Sequence, residues 1–175
     1  MSAPRLSKPD PTEYAPNLGA YIDLVPEGDV LTILERQIED TIALLRDLPE
    51  KEAETRHAPY TWSIKQVVGH LTDCERIFGV RALRFARNDP TALPGFDENP
   101  YVEAAHFDTR ALSCLVQELE FLRRSHLLFF GGLHDAAWLR CGIANGHPVT
   151  VRALAYTMAG HERHHVNIVR KRLGR

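Results

Sequence analysis

Leucine and isoleucine residues recur at three- and four-residue intervals between residues 31 and 48. This spacing places their side chains on one face of a helix, the pattern of an amphipathic helix packed against a core. Asp29 can cap the first turn, and Pro49 follows the last apolar residue, so the pattern predicts a helix over about 30–48. The stripe consists of Leu31, Leu34, Ile38, Ile42, Leu45 and Leu48.

The second predicted helix has the clearest start signal in the chain. Ser63 can cap it, and Gln66 three residues later completes a capping box, while Trp62 stands just before the cap. Helical periodicity then continues to about Arg87, where the sequence NDP ends it. We therefore predict a helix over about 63–87.

Two further helices complete an all-α fold. The third opens at Asp108 or Thr109 and ends at the glycine pair 131–132, and the fourth is capped by Thr150 and ends at Gly174. Four helices of this length predict a four-helix bundle. Its second and third connections are long loops, so the helices need not follow a simple up-down-up-down order.

The remaining segments are predicted to be irregular. Residues 1–26 are rich in proline and are expected to form an extended N-terminal arm. Residues 88–107 form a long loop, and 133–149 a second one in which Asn145-Gly146 signals a tight turn. With a length of 175 residues, the chain is expected to be a single domain over 1–175.

Composition and charge exclude several classes of function. A net charge of −2 gives no electrostatic basis for binding nucleic acid or anionic membranes. Cys74, Cys114 and Cys141 are odd in number and contain no Cys-x-x-Cys pair, which argues against a disulfide framework and for a reducing compartment. The polar N-terminus lacks the apolar core of a signal peptide. We therefore expect a cytoplasmic protein.

The fourth helix has two histidines in its inward stripe. The stripe reads Val151, Leu154, Met158, His161, His165, Ile168. At positions i and i+4 the two imidazoles lie on one face of the helix, close enough to bind one ion. Buried imidazoles without partners are costly, and a metal would satisfy both.

His70 occupies a similar inward position on the second helix. Three histidines from two facing helices match the metal sites that bundles support. Three protein ligands leave one coordination position open for water, a thiol or a substrate, which is typical of catalytic rather than structural sites. We therefore predict one divalent transition metal on His70, His161 and His165. Zinc and nickel are favoured, and iron and manganese also accept imidazole.

Several segments together resemble the DinB/YfiT-like superfamily. They are W-S-x-x-Q-V-V-G-H-L-T-D-C-E-R at 62–76, L-P-G-F-D-E-N-P-Y at 93–101, and A-G-H-E-R-H-H-x-x-I at 159–168. The resemblance covers nearly the whole chain after about residue 25. It implies a four-helix bundle, a homodimer, and a metal held by His70, His161 and His165. Its characterised members imply metal-dependent hydrolysis or thiol-dependent transfer.

Neighbouring residues leave alternatives open. His164 could be a rival or supporting ligand, and Cys74, one turn after His70, could close the site as a fourth ligand. Asp73 and Glu75 could orient a ligand imidazole through its second nitrogen; Asp73 is angularly closer to His70, and Glu75 is expected to face another helix or solvent. The pocket rim could include Phe96, Asp97, Tyr101 and the segment 138–145.

Two functions from different classes follow. The first is a metal-dependent enzyme, either a hydrolase or a thiol-dependent S-transferase, acting on a small-molecule substrate, with a low-molecular-weight thiol as co-substrate in the second case. No nucleophile with an adjacent base is evident, so no catalytic residue of the chain itself is assigned. The second is a non-catalytic metal-binding or sensing dimer. A metal-free bundle with hydrogen-bonded histidines is a third interpretation.

Overall fold

Helices make up most of the computed structural model, which describes residues 4–175. Short 3₁₀ helices cover Pro4–Leu6, Pro11–Glu13, Pro16–Leu18 and Phe107–Thr109. None of the helices within residues 4–175 is long and apolar enough to cross a membrane. The remaining elements are α1 (Gly19–Ile22), α2 (Val30–Leu45), α3 (Glu50–Ala53), α4 (Ile64–Ala86), α5 (Glu98–Ala105), α6 (Leu112–Gly131), α7 (Asp135–Trp138), β1 (Cys141–Ala144), β2 (His147–Thr150) and α8 (Val151–Arg172).

The predicted caps begin three of the four long helices. The Asp29 side chain accepts a hydrogen bond from the first turn of α2, and Thr150 does the same for α8. At α4, the backbone N–H of Gln66 donates to Ser63 Oγ over 3.1 Å, and the backbone N–H of Ser63 donates to Gln66 Oε1 over 2.9 Å. Each cap satisfies backbone donors that the helix itself cannot pair.

The segments predicted to be irregular contain regular structure. Within 88–107, the chain forms the short helix α5, which Asp97 caps. The polar sequence of this segment shows no apolar stripe from which the helix could be predicted. Within 133–149, β1 and β2 form an antiparallel hairpin around Asn145 (φ 52°) and Gly146 (φ 78°). These two left-handed residues are those that a two-residue hairpin turn requires. The third long helix starts at Leu112, later than predicted, because a 3₁₀ turn precedes it.

The predicted N-terminal arm is a chain of short helical turns rather than an extended segment. Three 3₁₀ helices lead into α1, which packs against α8. A proline begins each of these three 3₁₀ helices, at a position where its missing amide hydrogen costs nothing. Residues 1–3 of the predicted arm lie outside the described residues.

Four long helices form the bundle in the spatial order α2, α6, α4, α8. The first two long helices, α2 and α4, therefore lie on a diagonal, and the segment between them, which contains α3, crosses the end of the bundle. The C-terminal part of α4 and the N-terminal part of α8 belong to one apolar cluster, so these two neighbours run antiparallel. His70 near the start of α4 consequently faces the second half of α8.

The core consists of two apolar clusters. One contains Val30 and Leu34 from the start of α2. Apolar side chains of the other three long helices pack against them, including Phe85, Phe130 and Leu154. The other contains apolar side chains at the opposite end of the bundle, including Ile38, Leu45, Val68, Leu115 and Val169. Buried polar side chains, described below, lie between the two clusters. The histidines that the sequence singled out belong to this middle zone.

Candidate metal centre

Three imidazoles from α4 and α8 converge at the middle of the bundle. His161 and His165 are one turn apart on α8, and their ring centroids are 4.6 Å apart. His70 approaches them from α4, with its Nε2 atom 3.0 Å from Nε2 of His161. One ring nitrogen from each residue lies within 4.8 Å of those of the other two. The structure thus brings together all three residues that the sequence predicted as metal ligands.

Burial keeps these rings neutral. His70 is 5% exposed and His161 is 6% exposed. Burial lowers the pKa of His70 to about 4 and that of His165 to about 3, and it lowers the pKa of His161 well below its usual value. A neutral imidazole has the free lone pair that a metal requires. Three such lone pairs on converging rings fit the first coordination shell of a transition-metal ion.

Cys74 lies beside His70 on α4. Its Sγ atom is 3.6 Å from His70 Nε2, and burial raises the pKa of the thiol to about 12. Within the described residues, the group of converging ligand atoms contains the three histidines and not Cys74. The side chain is therefore a neighbour of the site in its protonated form.

Asp73 and His164 lie outside the converging group. Asp73 forms an ion pair with Arg76 over 3.2 Å and, within residues 4–175, makes no hydrogen bond to His70. His164 packs edge-on against Tyr21, with ring centroids 5.4 Å apart. The predicted supporting role of Asp73 toward a ligand imidazole therefore finds no contact in the structure.

A cavity of about 290 Å³ opens beside the three histidines. Its walls come from the N-terminal arm, α4, the 93–98 segment, the hairpin turn and α8. The lining residues are Asn17, Leu18, Tyr21, Trp62, His70, Cys74, Phe78, Arg81, Gly95, Phe96, Glu98, Asn145, His161 and His165.

The predicted rim is correct in part. Phe96 and Asn145 line the cavity, whereas Tyr101 lines an adjacent groove and packs on Phe96 with ring centroids 5.4 Å apart. Asp97 caps α5 instead of facing the pocket. Trp138 is 1% exposed and stacks on Phe130 in the core, so it does not reach the rim.

Sequence reasoning missed several cavity residues. Tyr21 reaches the site from α1, with its ring centroid 5.3 Å from that of His161. The Trp62 ring centroid is 4.9 Å from that of His70, so the residue before the cap is also part of the pocket wall. Arg81 could have been found, since it lies on the same face of α4 as His70. Tyr21 carried no signal, because its position depends on how the arm folds back.

A profile of the DinB superfamily matches residues 33–169. This chain belongs to the DinB superfamily. Its fold is similar to that of YfiT from Bacillus subtilis, described as "a probable metal-dependent hydrolase with an unusual four-helix bundle topology". The TM-score is 0.71 at 18% sequence identity, over 95% of this chain and 93% of that one. No curated protein sequence matches the chain.

In this DinB-superfamily chain, a buried ionic network lies behind the histidines. Arg123 of α6 donates to Glu75 of α4 over 2.7 and 2.8 Å, to Glu162 of α8 over 2.7 Å, and to the Leu34 carbonyl of α2 over 3.3 Å. Thr41 of α2 donates to Glu162 over 2.7 Å. One guanidinium thus contacts all three other long helices.

The charges in this network stabilise one another. Burial alone would raise the pKa of Glu75, but the charge and hydrogen bonds of Arg123 lower it to about 2. Burial would likewise lower the pKa of Arg123, and the two carboxylates raise it above its usual value. His126 Nδ1 is a further partner of Glu75 at 3.0 Å. The inward position of Arg123 could have been found from its spacing, since it continues the apolar stripe of Leu115 and Leu119 along α6.

The network also determines how residues 161–165 can act. Their sequence, H-E-R-H-H, has the H-E-x-x-H spacing in which a metalloprotease glutamate serves as general base. Here Glu162 is buried and bonded to Arg123 and Thr41, and it does not line the cavity. The carboxylate is therefore a core group that ties α8 to α2 and α6.

Proposed function

We propose that this chain binds one divalent transition metal through His70, His161 and His165 and acts as a metal-dependent enzyme on a small molecule. The observation that carries the proposal is the convergence of three neutral imidazoles on the wall of a cavity. A structural role alone would not require the rings to face an open space of about 290 Å³. That volume suits a small metabolite, since ligand pockets begin near roughly 300 Å³.

Three protein ligands leave room for a fourth, exchangeable partner, the pattern of catalytic sites. When bound, the metal would supply Lewis-acid activation of a carbonyl group and of a water or thiol nucleophile. The chain's own residues would position the substrate, and Tyr21, whose pKa is raised by burial, would remain a protonated hydrogen-bond donor. Glu98 places a carboxylate at the exposed edge of the cavity.

Hydrolysis is the reaction class that we place first. The similarity to YfiT, described as a probable metal-dependent hydrolase, supports this choice. Thiol-dependent S-transfer, which the sequence resemblance implies, is the second reaction at the same centre. Both reactions use a nucleophile that enters from outside the chain, so they fit a pocket in which Cys74 is held protonated.

The first test is the metal content of untagged protein, measured by elemental mass spectrometry. We expect about one equivalent in the unmodified chain and none in His70→Ala or His165→Ala. His147→Ala, at an exposed position in β2, should keep the metal. Screening of hydrolytic and thiol-conjugation panels would follow with the identified metal. Absence of metal after reconstitution with zinc, nickel, iron and manganese would overturn the proposal.

One observation favours a second candidate, a non-catalytic metal-binding or sensing module. Cys74 Sγ lies 3.6 Å from His70 Nε2, so a modest movement would let a thiolate close the coordination shell. Cobalt-loaded protein would then show a sulfur-to-metal charge-transfer band that Cys74→Ser abolishes. If the band is absent, the enzyme with an open coordination position remains the better proposal.

The homodimer implied by the resemblance stays a prediction, to be measured by light scattering.

A further inference from the structure

Arg81 is a buried cation on the wall of the histidine cavity. It is 8% exposed and lines the same cavity as His70, His161 and His165. It follows His70 by eleven residues on α4, which corresponds to a rise of about 16 Å and an angular offset of about 20°. The two side chains therefore belong to one face of one helix, about three turns apart.

The described residues contain three buried cations, and Arg81 differs from the other two. Lys65 forms ion pairs with Glu50 and Glu54 over 2.7 and 2.8 Å, and Arg123 pairs with Glu75 and Glu162. Arg81 has no carboxylate within ion-pair distance among residues 4–175. Buried charges in proteins are normally paired, so this guanidinium lacks the partner that its burial demands.

Arg81 makes one hydrogen bond within the described part of the chain, and its Nε donor is buried without a partner. Its Nη2 atom donates to the Pro94 carbonyl over 2.8 Å. Its Nε atom is out of contact with water and has no acceptor within the described part of the chain. A guanidinium has five N–H donors, and of the four that find no acceptor there only the one on Nε is shielded from water, whereas those on Nη1 are open to it. Burial lowers the pKa of Arg81, yet the group stays positively charged at neutral pH.

The surroundings hold the guanidinium in place. The Leu93 amide donates to the Ile143 carbonyl over 2.8 Å, and the Asn145 amide donates to the Leu93 carbonyl over 3.0 Å. These bonds fix the segment that bears the Pro94 carbonyl against the hairpin. Arg81 is therefore positioned before any ligand arrives, which reduces the entropy cost of binding.

Two aromatic rings contribute to the wall between Arg81 and the histidines. Phe78 lies between them on α4, and Phe96 faces the same cavity from the loop. Glu98 also lines the cavity, but it is exposed and forms no ion pair with Arg81 in the described structure. A ligand that satisfies this arrangement has an anionic end, an apolar middle and a reacting group at the other end.

On the basis of the proposed function, we propose that Arg81 is a specificity-determining residue that binds the carboxylate of a small organic acid whose reacting bond lies at the three histidines. A single cation matches a monoanionic carboxylate, and the fork of guanidinium donors suits its two oxygens. An apolar chain or aromatic ring would span the wall formed by Phe78 and Phe96. Neutral analogues of the same shape would leave Arg81 unpaired and bind more weakly.

The test compares matched ligands that differ only at the charged end. The probes are ω-phenyl carboxylic acids with two to five methylene groups and the corresponding carboxamides, titrated by isothermal calorimetry and protein-observed NMR. Each titration is made with zinc-loaded protein and again after chelation. We expect the best carboxylate to bind at least tenfold more tightly than its amide in both forms. Because the chelated protein needs no metal, this result is independent of the metal proposal.

Variants assign the preference to one side chain. In Arg81→Gln, the carboxylate should bind about as tightly as its carboxamide, so the tenfold preference is lost. The affinity for the carboxamide should be unchanged. Arg84→Gln removes the same charge from the same helix but outside the cavity, where Arg84 pairs with Asp89 over 2.7 Å, and should keep the preference. Arg81→Lys retains a cation without the fork and should weaken carboxylate binding at least threefold, a measurement that still applies if Arg81→Gln fails to fold.

Two outcomes would overturn the inference. The first is equal affinity for acids and amides throughout the series in the unmodified protein. The second is a preference that survives in folded Arg81→Gln or is unaltered in Arg81→Lys. Failure of the metal proposal has a different signature, because it would appear as absence of metal while the acid-to-amide preference persisted.

Discussion

Gly160 of α8 lies directly against the backbone carbonyl of Tyr21 in α1. A β-carbon built on Gly160 would overlap this carbonyl oxygen. The neighbouring residue is His161, whose ring also packs against the Tyr21 ring. The close approach of two backbones thus positions one wall of the cavity and one of the three histidines.

Gly160→Ala should destabilise the protein by about 1–3 kcal/mol, the usual cost of overpacking a rigid site. A backbone carbonyl cannot move aside as a flexible side chain can, so α1 must shift. Gly131→Ala is the matched control, since a β-carbon there meets nothing within 4 Å. The control should be neutral or stabilising, because alanine is the better helix former. Urea denaturation of both variants measures the difference, and equal stabilities would contradict the packing argument.

Arg123→Met should cost about 3–5 kcal/mol, because it leaves Glu75 and Glu162 buried without their cation. The penalty arises from the unpaired carboxylates rather than from lost packing. Arg123→Met combined with Glu75→Gln and Glu162→Gln should therefore recover much of the stability. Arg124→Met is the control, since Arg124 pairs with Glu120 at the surface. Chemical denaturation is the measurement, and a cost below about 1 kcal/mol would show that the network contributes little.

Metal-free protein should lose stability as the pH falls from 7 to 5. The pKa of His70 is about 4 in the folded state and near 6.5 when unfolded, so the unfolded chain binds more protons in this range. The contribution of neutral His70 to folding stability is fully present above pH 6.5. It declines as the pH falls toward the folded-state pKa of about 4. The loss attributable to His70 between pH 7 and 5 is about 2 kcal/mol.

His70→Leu removes that group and should show a smaller decline over the same range. Chelated samples of both proteins are to be compared by urea denaturation at pH 7, 6 and 5. Parallel declines in the two proteins would mean that His70 titrates in the folded state much as it does in the unfolded chain.

Metal affinity should respond to acid at lower pH than free histidine suggests. From the sequence alone, ligand histidines are expected to lose metal as the pH falls through about 6.5. Burial lowers the pKa of His165 to about 3 and that of His70 to about 4, so protons compete for these nitrogens only under more acidic conditions. We expect less than a tenfold change in zinc affinity between pH 7 and 5.5, measured by chelator competition. A steep loss of zinc affinity that begins at pH 6.5 would indicate that the histidine rings are hydrated rather than buried.

The long helices were predictable because their signals are local. The capping box of Ser63 and Gln66 and the apolar stripes fixed the starts and faces of the helices. The helix α5 and the hairpin were not predicted, since short elements depend on contacts with distant segments. The Leu93 and Asn145 backbone bonds that join the loop to the hairpin are an example. Proline-rich sequence likewise predicted an extended arm where the chain forms 3₁₀ turns.

The sequence by itself determined the four helices and the inward positions of His70, His161 and His165, because periodicity places a side chain on one face of its own helix. Tertiary structure decided which helices are neighbours and that α4 and α8 run antiparallel, so that His70 meets the second half of α8. It also decided that Glu162 turns to Arg123 whereas Arg81 faces the cavity without a carboxylate. Periodicity cannot supply this information, since the partner of a buried charge is fixed only when separate helices pack together.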